Sequence, residues 1–151
     1  MGSVTFVASK GPLLAIGHSL GTILVLNTEQ KVDEQTQAKE NLTMRCPFEI
    51  IHRFNFHKSA ITALCFSNDS TKLISGGADT YLIQYDLVSS MAEFKLLGHT
   101  QSITQVQILV TRHPTRGTPQ RTLVSAAADG LLKVWSLETQ MCMGTFGEQS
   151  L

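Results

Sequence analysis

Two sets of one histidine, one serine and one aspartate recur at matching positions along this chain. The sets are His57, Ser75 and Asp79, and His99, Ser125 and Asp129. These are the residue types of a hydrolase triad, in which the histidine activates the serine and the aspartate orients the histidine. A nucleophilic serine also needs a substrate pocket and an oxyanion hole, and the sequence contains no G-x-S-x-G elbow. Because the same trio occurs twice in equivalent places, we interpret it as structural and predict no catalytic residue and no enzyme activity.

Each trio is followed by an aromatic residue that carries a hydrogen-bond donor, Tyr85 after the first trio and Trp135 after the second. An unpaired polar group costs about 1–3 kcal/mol when it is buried. A relay from the aspartate carboxylate to the histidine ring, the serine hydroxyl and the indole N–H would satisfy all four groups. The tyrosine hydroxyl replaces the indole in the first set, so the sequence predicts two hydrogen-bonded tetrads.

The serines and aspartates belong to a hairpin that the chain repeats. Residues 73–86 and 123–136 align without a gap, and each range places two β-prone runs around a short turn. In the second copy the turn is Asp129-Gly130, which is a strong hairpin signal because glycine accepts a positive φ. A third copy spans residues 13–26, where the positions of the serine, the aspartate and the aromatic residue are apolar. These three residues are Ile16, Leu20 and Leu26.

The sequence predicts twelve short strands in three groups of four, with no convincing helix. Short strands at regular spacing predict an all-β fold, and a four-stranded unit repeated along the chain is typical of propeller blades. We expect blade 1 at about 4–56 with a polar loop 28–45, blade 2 at about 57–97, and blade 3 at about 98–147 with an insertion 111–121. Three blades do not close a ring. We therefore expect further blades in a longer chain, or self-association.

The motifs Gly98-His99, Ser125, Asp129 and Trp135-Ser136 resemble those of the WD-repeat family, whose blades carry a Gly-His and a Trp-Asp pair. The resemblance implies a β-propeller whose blades contain hydrogen-bonded tetrads and whose function is that of a non-catalytic protein-interaction scaffold. In blade 2 the pattern departs from the family, because Phe56-His57 replaces Gly-His.

Residues between the motifs are similar to the nucleolar WD-repeat proteins of the small-subunit processome. They are Ile83, Ile103-Thr104-Gln105 and Thr139-Gln140-Met141-Cys142. That resemblance implies a role in pre-rRNA processing within a ribonucleoprotein, and a nucleolar or nuclear location. The alternative is an interaction platform of another complex, such as a substrate receptor for a ubiquitin ligase.

Composition limits the partners of the protein. The chain has 151 residues, of which 42% are apolar, and its twelve basic and twelve acidic residues give a formal net charge of zero. A neutral chain argues against unaided nucleic-acid binding, which needs an excess of lysine and arginine. No apolar run is long enough for a membrane helix, so we expect no membrane partner. Three cysteines at long spacings, expected to be reduced thiols, and the lack of secretory signals predict an intracellular location. Cysteine and histidine spacings predict no metal site, and we expect no cofactor.

The insertion in blade 3 is the one basic segment that could reach a charged partner. Its basic residues are Arg112, His113, Arg116 and Arg121. They could contact phosphate or an acidic protein, so RNA contact is expected only indirectly or through this loop. A solvated loop without a ligand is the alternative.

Overall fold

The computed structural model describes residues 2–31 and 48–147. Within these ranges the chain forms twelve strands and no helix. Sheet 1 contains β1 (Val4–Lys10), β2 (Leu13–His18), β3 (Ile23–Lys31) and β4 (Phe48–Phe54). Sheet 2 contains β5 (Ile61–Phe66), β6 (Lys72–Gly77), β7 (Leu82–Asp86) and β8 (Met91–Leu96). Sheet 3 contains β9 (Ile103–Arg112), β10 (Pro119–Ala127), β11 (Leu132–Ser136) and β12 (Met141–Phe146).

Every sheet is an antiparallel meander in which strands adjacent in the chain are adjacent in space. The first strands of successive sheets lie side by side, with β1 against β5 and β5 against β9. The three sheets do not close into a ring. The predicted all-β fold, with three four-stranded antiparallel sheets in an open arrangement, is confirmed. No helix within residues 2–31 and 48–147 has the length and apolar character to span a membrane.

The second and third strands of each sheet are joined by the same tight turn. An N–H donates to the carbonyl oxygen four residues later, from His18 to Thr22 (2.9 Å), Gly77 to Tyr81 (3.2 Å) and Ala127 to Leu131 (3.2 Å). The fourth residue of each turn has a positive φ, which is 88° at Gly21, 76° at Thr80 and 79° at Gly130. Glycine adopts this conformation freely, whereas a β-branched threonine is strained in it. The shared turn therefore aligns the three hairpins residue by residue.

The hydrophobic core lies between the sheets, in two separate layers. Between sheets 1 and 2, the Phe54 ring stacks on the Tyr85 ring with centroids 4.4 Å apart, and Ile61 is fully buried. Between sheets 2 and 3, Trp135 packs in a cluster that includes Ile74. Each sheet thus buries one face by packing on the next, as expected of stacked repeats that have no core of their own.

One contact is repeated in both layers. Ile61 lies over Gly17 of the preceding sheet, and Ile103 lies in the same way over Gly76. A Cβ atom on either glycine would overlap the isoleucine side chain, so only glycine permits this approach. The first strand of each sheet is thereby held against the second strand of the sheet before it.

Two loops differ from the sequence-based expectation. The insertion expected at 111–121 is strand at both ends, because β9 continues to Arg112 and β10 begins at Pro119. Cross-strand pairs such as Thr111 with Gln120 extend the hairpin and leave only residues 113–118 as the loop. The polar loop expected at 28–45 begins later, because β3 runs to Lys31. The rest of that expected loop lies outside the described residues.

Candidate functional site

In sheet 3 the four predicted polar residues lie in one hydrogen-bonded chain. His99 Nδ1 is 3.0 Å from Asp129 Oδ2, and His99 Nε2 is 2.8 Å from Ser125 Oγ. Trp135 Nε1 donates to the same serine oxygen at 2.9 Å. One member comes from each of four places: the loop before β9, strand β10, the turn that follows it and strand β11. The hydrogen-bonded chain therefore spans the width of three strands.

Asp129 is also fixed by the backbone around it. Its carboxylate accepts hydrogen bonds from Thr100 N at 3.1 Å and from Leu131 N at 3.0 Å. Burial works to raise the pKa of Asp129, but the hydrogen bonds from Thr100, His99 and Leu131 outweigh it and the pKa is lowered. The aspartate is therefore a charged acceptor that joins the turn to the segment leading into β9.

Sheet 2 repeats the arrangement with tyrosine in place of tryptophan. His57 Nδ1 lies 2.9 Å from Asp79 Oδ1, and His57 Nε2 lies 2.6 Å from Ser75 Oγ. The hydroxyl oxygens of Ser75 and Tyr85 are 3.2 Å apart. Lys58 N donates to Asp79 Oδ2 at 2.9 Å, in the place of the Thr100 contact in sheet 3.

The protonation of the sheet 2 network follows from its burial. Desolvation lowers the pKa of His57 despite the opposing hydrogen bond and charge of Asp79, so the ring is neutral at pH 7. A neutral ring has one N–H, which donates from Nδ1 to the Asp79 carboxylate. Nε2 lies within hydrogen-bonding distance of the Ser75 hydroxyl, which also contacts the Tyr85 hydroxyl. Burial raises the pKa of Tyr85, so its hydroxyl stays protonated at neutral pH.

Both serines are closed to any substrate. Ser75 and Ser125 have no exposed surface, and the histidines that contact them are each 6% exposed. Within the described residues every buried side-chain nitrogen and oxygen atom has a hydrogen-bond partner. The geometry that suggested a hydrolase triad is thus a set of satisfied buried contacts, and a nucleophile there could not meet a reacting carbonyl.

The size of the residue before each histidine is complementary to the size of the aromatic member of the tetrad. In the sequence, Phe56 stands out only as a departure from the Gly-His motif of the family. In sheet 3 this residue is Gly98, where an added Cβ would lie 2.9 Å from Trp135 Cη2. In sheet 2 the smaller ring of Tyr85 leaves that space, and Phe56 lies beside it with ring centroids 6.1 Å apart. Phe56 thus accompanies the smaller ring of Tyr85, and Gly98 accompanies the larger ring of Trp135. These paired substitutions in the sequence could have indicated the exchange of size.

Sheet 1 has no equivalent polar network. The shared turn places Ile16 at the position of the two serines and Leu20 at that of the two aspartates. Leu26 occupies the aromatic position and is 4% exposed, whereas Leu20 is 68% exposed. The polar members are absent together, so no buried polar group is left without a partner.

The four basic residues of the insertion do not form one surface. Arg121 is drawn towards sheet 2, where its Nη2 lies 2.8 Å from Asp69 Oδ2. The His113 ring accepts contacts within its own turn, since Thr115 N lies 3.3 Å from its Nδ1. Arg112 and Arg116 are exposed near the tip of the hairpin. Within the described residues, the guanidinium groups of these two arginines form no ion pair.

Hydrogen bonds from Ser67 and Thr71 hold the pKa of Asp69 well below its usual range, and the nearby Arg121 adds to this effect. The carboxylate therefore stays charged, and the ion pair with Arg121 bridges sheets 2 and 3 beside a cleft of about 530 Å³. Residues 2–31 and 48–147 contain no group of three or more His, Cys, Asp or Glu side chains that could hold a metal ion.

Three successive meander sheets, two of which carry the same buried Asp-His-Ser-aromatic chain, define a repeat protein built from β-propeller blades. The family model described as WD domain, G-beta repeat matches residues 48–86 and 90–136. This chain belongs to the WD-repeat family. The resemblance inferred from the motifs is thereby confirmed.

Curated relatives match most of this chain but a small part of their own length. The chain is 29% identical over 129 residues to pre-mRNA-processing factor 19 of Bos taurus, which covers 79% of this chain and 23% of that protein. It is 29% identical over 92 residues to pre-mRNA-splicing factor cwf17 of Schizosaccharomyces pombe, covering 61% of this chain and 25% of that protein. The chain thus spans about a quarter of the length of these relatives.

Solved structures share the fold at low sequence identity. The RRP9 WD40 repeats superpose with a TM-score of 0.73 and 16% identity, covering 99% of this chain and 40% of that one. A chain of the mitotic checkpoint complex gives a TM-score of 0.70 and 18% identity, with 95% and 38% covered. These likenesses establish the fold and nothing further about activity.

Proposed function

We propose that this protein is a non-catalytic interaction scaffold in a larger complex that processes RNA. The observation that carries this proposal is the closed state of both polar networks, whose serines are fully buried. Buried networks of this kind use serine, histidine and aspartate to hold three strands together, which makes each blade a rigid support for its surface loops. His57, Ser75, Asp79 and Tyr85, and His99, Ser125, Asp129 and Trp135, are thus structural tetrads.

We take residues 4–56, 57–97 and 98–147 as three blades of a propeller that continues beyond them. Support comes from the outer face of blade 1, where Val4 is 56% exposed, Val7 is 53% exposed and Leu20 is 68% exposed. Contiguous apolar surface of this kind normally packs on a partner. Further blades of a longer chain cover that face, or a second copy of this chain does.

The complex we propose is the small-subunit processome, in which the protein assists pre-rRNA processing in the nucleolus. The residues that support this choice lie between the motifs, at Ile83, Ile103-Thr104-Gln105 and Thr139 to Cys142. A pre-mRNA splicing complex is the second candidate, favoured by the names of the curated relatives, pre-mRNA-processing factor 19 and splicing factor cwf17. Either complex places the protein in the nucleus. A ubiquitin-ligase platform is the remaining alternative.

Affinity purification from nuclear extract tests the proposal. The natural full-length protein, tagged and expressed at its normal level, is purified with and without ribonuclease, and the recovered proteins and RNAs are identified. The processome role predicts pre-rRNA and its small-subunit assembly factors, and their recovery falls after ribonuclease treatment. Spliceosomal small nuclear RNAs in their place would move the protein to the second candidate.

Two other outcomes would overturn the proposal. Recovery of ubiquitin-ligase subunits without RNA would replace the RNA-processing complex by a ligase. A protein that elutes alone from native extract, with no stoichiometric partner, would refute the scaffold function altogether. Sedimentation of the 151-residue chain and binding of a dye for apolar surface test whether the end faces are open. A monomer with little dye binding would contradict both alternatives, coverage by further blades and coverage by a second copy.

A further inference from the structure

The extended hairpin of sheet 3 forms a wall that sheet 2 does not cover. Strand β9 has ten residues, whereas its equivalent β5 has six, so the β9–β10 hairpin continues past the short turn that follows β5. Ile108 still packs on the core between sheets 2 and 3. Val110 lies two residues further along the same face and is 51% exposed. The extra length therefore presents aliphatic surface beside sheet 2 without a neighbour to bury it.

This wall is one side of the cleft of about 530 Å³ between the two sheets. The opposite side is the turn after β5, formed by Ser67, Asn68 and Asp69. Gln84 lines the cleft within sheet 2, and Leu137 and Glu138 line it after β11. The Asp69–Arg121 ion pair, 2.8 Å long, joins the two sides. A volume of this size is within the range of about 300–1,000 Å³ that ligand sites occupy.

Two side chains of the cleft lining, Gln84 and Glu138, have acceptor oxygens without a hydrogen-bond donor among the described residues. Gln84 Nε2 donates to Glu93 Oε2 at 2.5 Å, and the carboxamide oxygen of Gln84 accepts no hydrogen bond from the described residues. Glu138 is exposed and has no ion-pair partner in the described part of the chain. Arg121 is neutralised by Asp69, so Glu138 leaves the lining with an excess of negative charge. A cationic side chain is the group that this set of acceptors complements.

We propose that this cleft binds an extended segment of a partner protein that carries an aliphatic side chain close to a lysine or arginine. The aliphatic side chain packs against Val110 and Ile108, and the cation donates to Glu138 and to the Gln84 carboxamide oxygen. The site exists because the β9–β10 hairpin is longer than its counterpart in sheet 2. The inference rests on the scaffold function proposed above and names the partner chemistry at one surface of it.

Labelled peptides test the site by fluorescence anisotropy. The probe is a short Gly/Ser peptide with Leu-Ser-Lys at its centre, because side chains two positions apart lie on one face of an extended segment. Peptides with Leu-Ser-Glu and Ser-Ser-Lys are the comparison probes. We expect the Leu-Ser-Lys peptide to bind at least about fivefold more tightly than either, since each loses one of the two contacts.

Four variants assign the binding to the cleft. Val110→Ser and Glu138→Lys are expected to weaken the Leu-Ser-Lys peptide by about fivefold or more. Leu109→Ser is the matched control for the first, because Leu109 is 40% exposed on the opposite face of the same strand. Glu49→Lys is the control for the second, because Glu49 is an exposed glutamate of sheet 1. Thermal melts that match the parent protein show that each variant is folded.

Three results would overturn the inference. Equal affinities for the three peptides remove the proposed chemistry, and equal effects of the two cleft variants and their controls remove the site. A ten-nucleotide uridine RNA that displaces the Leu-Ser-Lys peptide, and whose affinity Val110→Ser leaves unchanged, would assign the surface to nucleic acid. If Val110→Ser and Glu138→Lys lose peptide binding but the natural complex is still recovered, the scaffold function stands. If both variants keep peptide binding and still recover the natural complex, only the proposed cleft site is refuted.

Discussion

Removal of a single hydroxyl group tests the network of sheet 3 most directly. Ser125 is fully buried, and its Oγ accepts a hydrogen bond from Trp135 Nε1 at 2.9 Å and lies 2.8 Å from His99 Nε2. The Ser125→Ala substitution deletes both contacts while it removes one atom from the core. It leaves the indole N–H and the imidazole nitrogen without partners, and Trp135 is only 3% exposed.

The expected loss follows from those two orphaned groups. A buried donor or acceptor that loses its partner costs about 1–3 kcal/mol, so the loss of two partners should lower the free energy of unfolding by about 2–6 kcal/mol. Small domains are stable by only about 5–15 kcal/mol, so the change is a large fraction of the total. If water reaches the histidine after the substitution, the loss lies near the lower end of that range.

Urea denaturation followed by tryptophan fluorescence measures the loss, with Ser136→Ala as the matched control. Ser136 belongs to the same sheet and is 2% exposed, but its Oγ accepts a single longer contact, from Thr139 N at 3.3 Å. Its removal should cost about 1 kcal/mol or less. The chain has one tryptophan, so the fluorescence signal reports on sheet 3 itself.

A double-mutant cycle separates the hydrogen bond from general packing. In a Trp135→Phe background the indole donor is already gone, so Ser125→Ala should cost about 1 kcal/mol less than it does in the parent protein. This cycle is followed by circular dichroism, because it removes the fluorophore. Losses for Ser125→Ala and Ser136→Ala that agree within about 0.5 kcal/mol, or strict additivity in the cycle, would refute the tetrad as a stabilising unit.

Three further predictions concern other positions. Thr80→Gly should raise the free energy of unfolding in urea by about 1 kcal/mol, because Thr80 is held at a φ of 76°. Gly98→Phe should lower it by about 1–3 kcal/mol through overlap with Trp135, and combination with Trp135→Tyr should cost less than the sum of the two single changes. Thermal melts should show stability falling as pH drops through 6.5, the ordinary pKa of histidine, because the folded pKa of His57 is lowered and the unfolded chain binds that proton first. A second loss should begin below pH 3.8, since the folded pKa of Asp129 is also lowered.

The repeated hairpins could be predicted because their signals are local. Alternating apolar residues and turns such as Asp129-Gly130 fix a hairpin within a few residues, and the strict spacing from Ser125 to Trp135 repeats that of Ser75 to Tyr85. The members of both networks could also be named, since a serine and an aspartate at matching places in two sheets need partners. Both features depend on short sequence separations or on the likeness of one repeat to another.

The features that escaped prediction depend on contacts between distant residues. Pro119 and the arginines of the insertion are typical of a loop, yet Val110 pairs with Arg121 and the strands continue. The Arg121–Asp69 ion pair joins residues 52 positions apart, and no local pattern indicates it. The cleft arises from the unequal lengths of two hairpins, which becomes visible only when sheets 2 and 3 are placed side by side.

The isoleucine-over-glycine contact makes the stacking of the sheets polar, because the two surfaces that meet are different. Sheets 2 and 3 each place an isoleucine over a glycine in the second strand of the preceding sheet, Ile61 over Gly17 and Ile103 over Gly76. At the two ends the corresponding positions are Val4, which leads sheet 1, and Ala126, which ends the series in sheet 3. The two end surfaces differ. A twofold axis would place the same end surface of two copies against itself, where the isoleucine-over-glycine type of contact cannot form. If copies of this chain associate through these surfaces, the contact joins unlike surfaces, and the rotation from one copy to the next decides between a closed ring and an open filament.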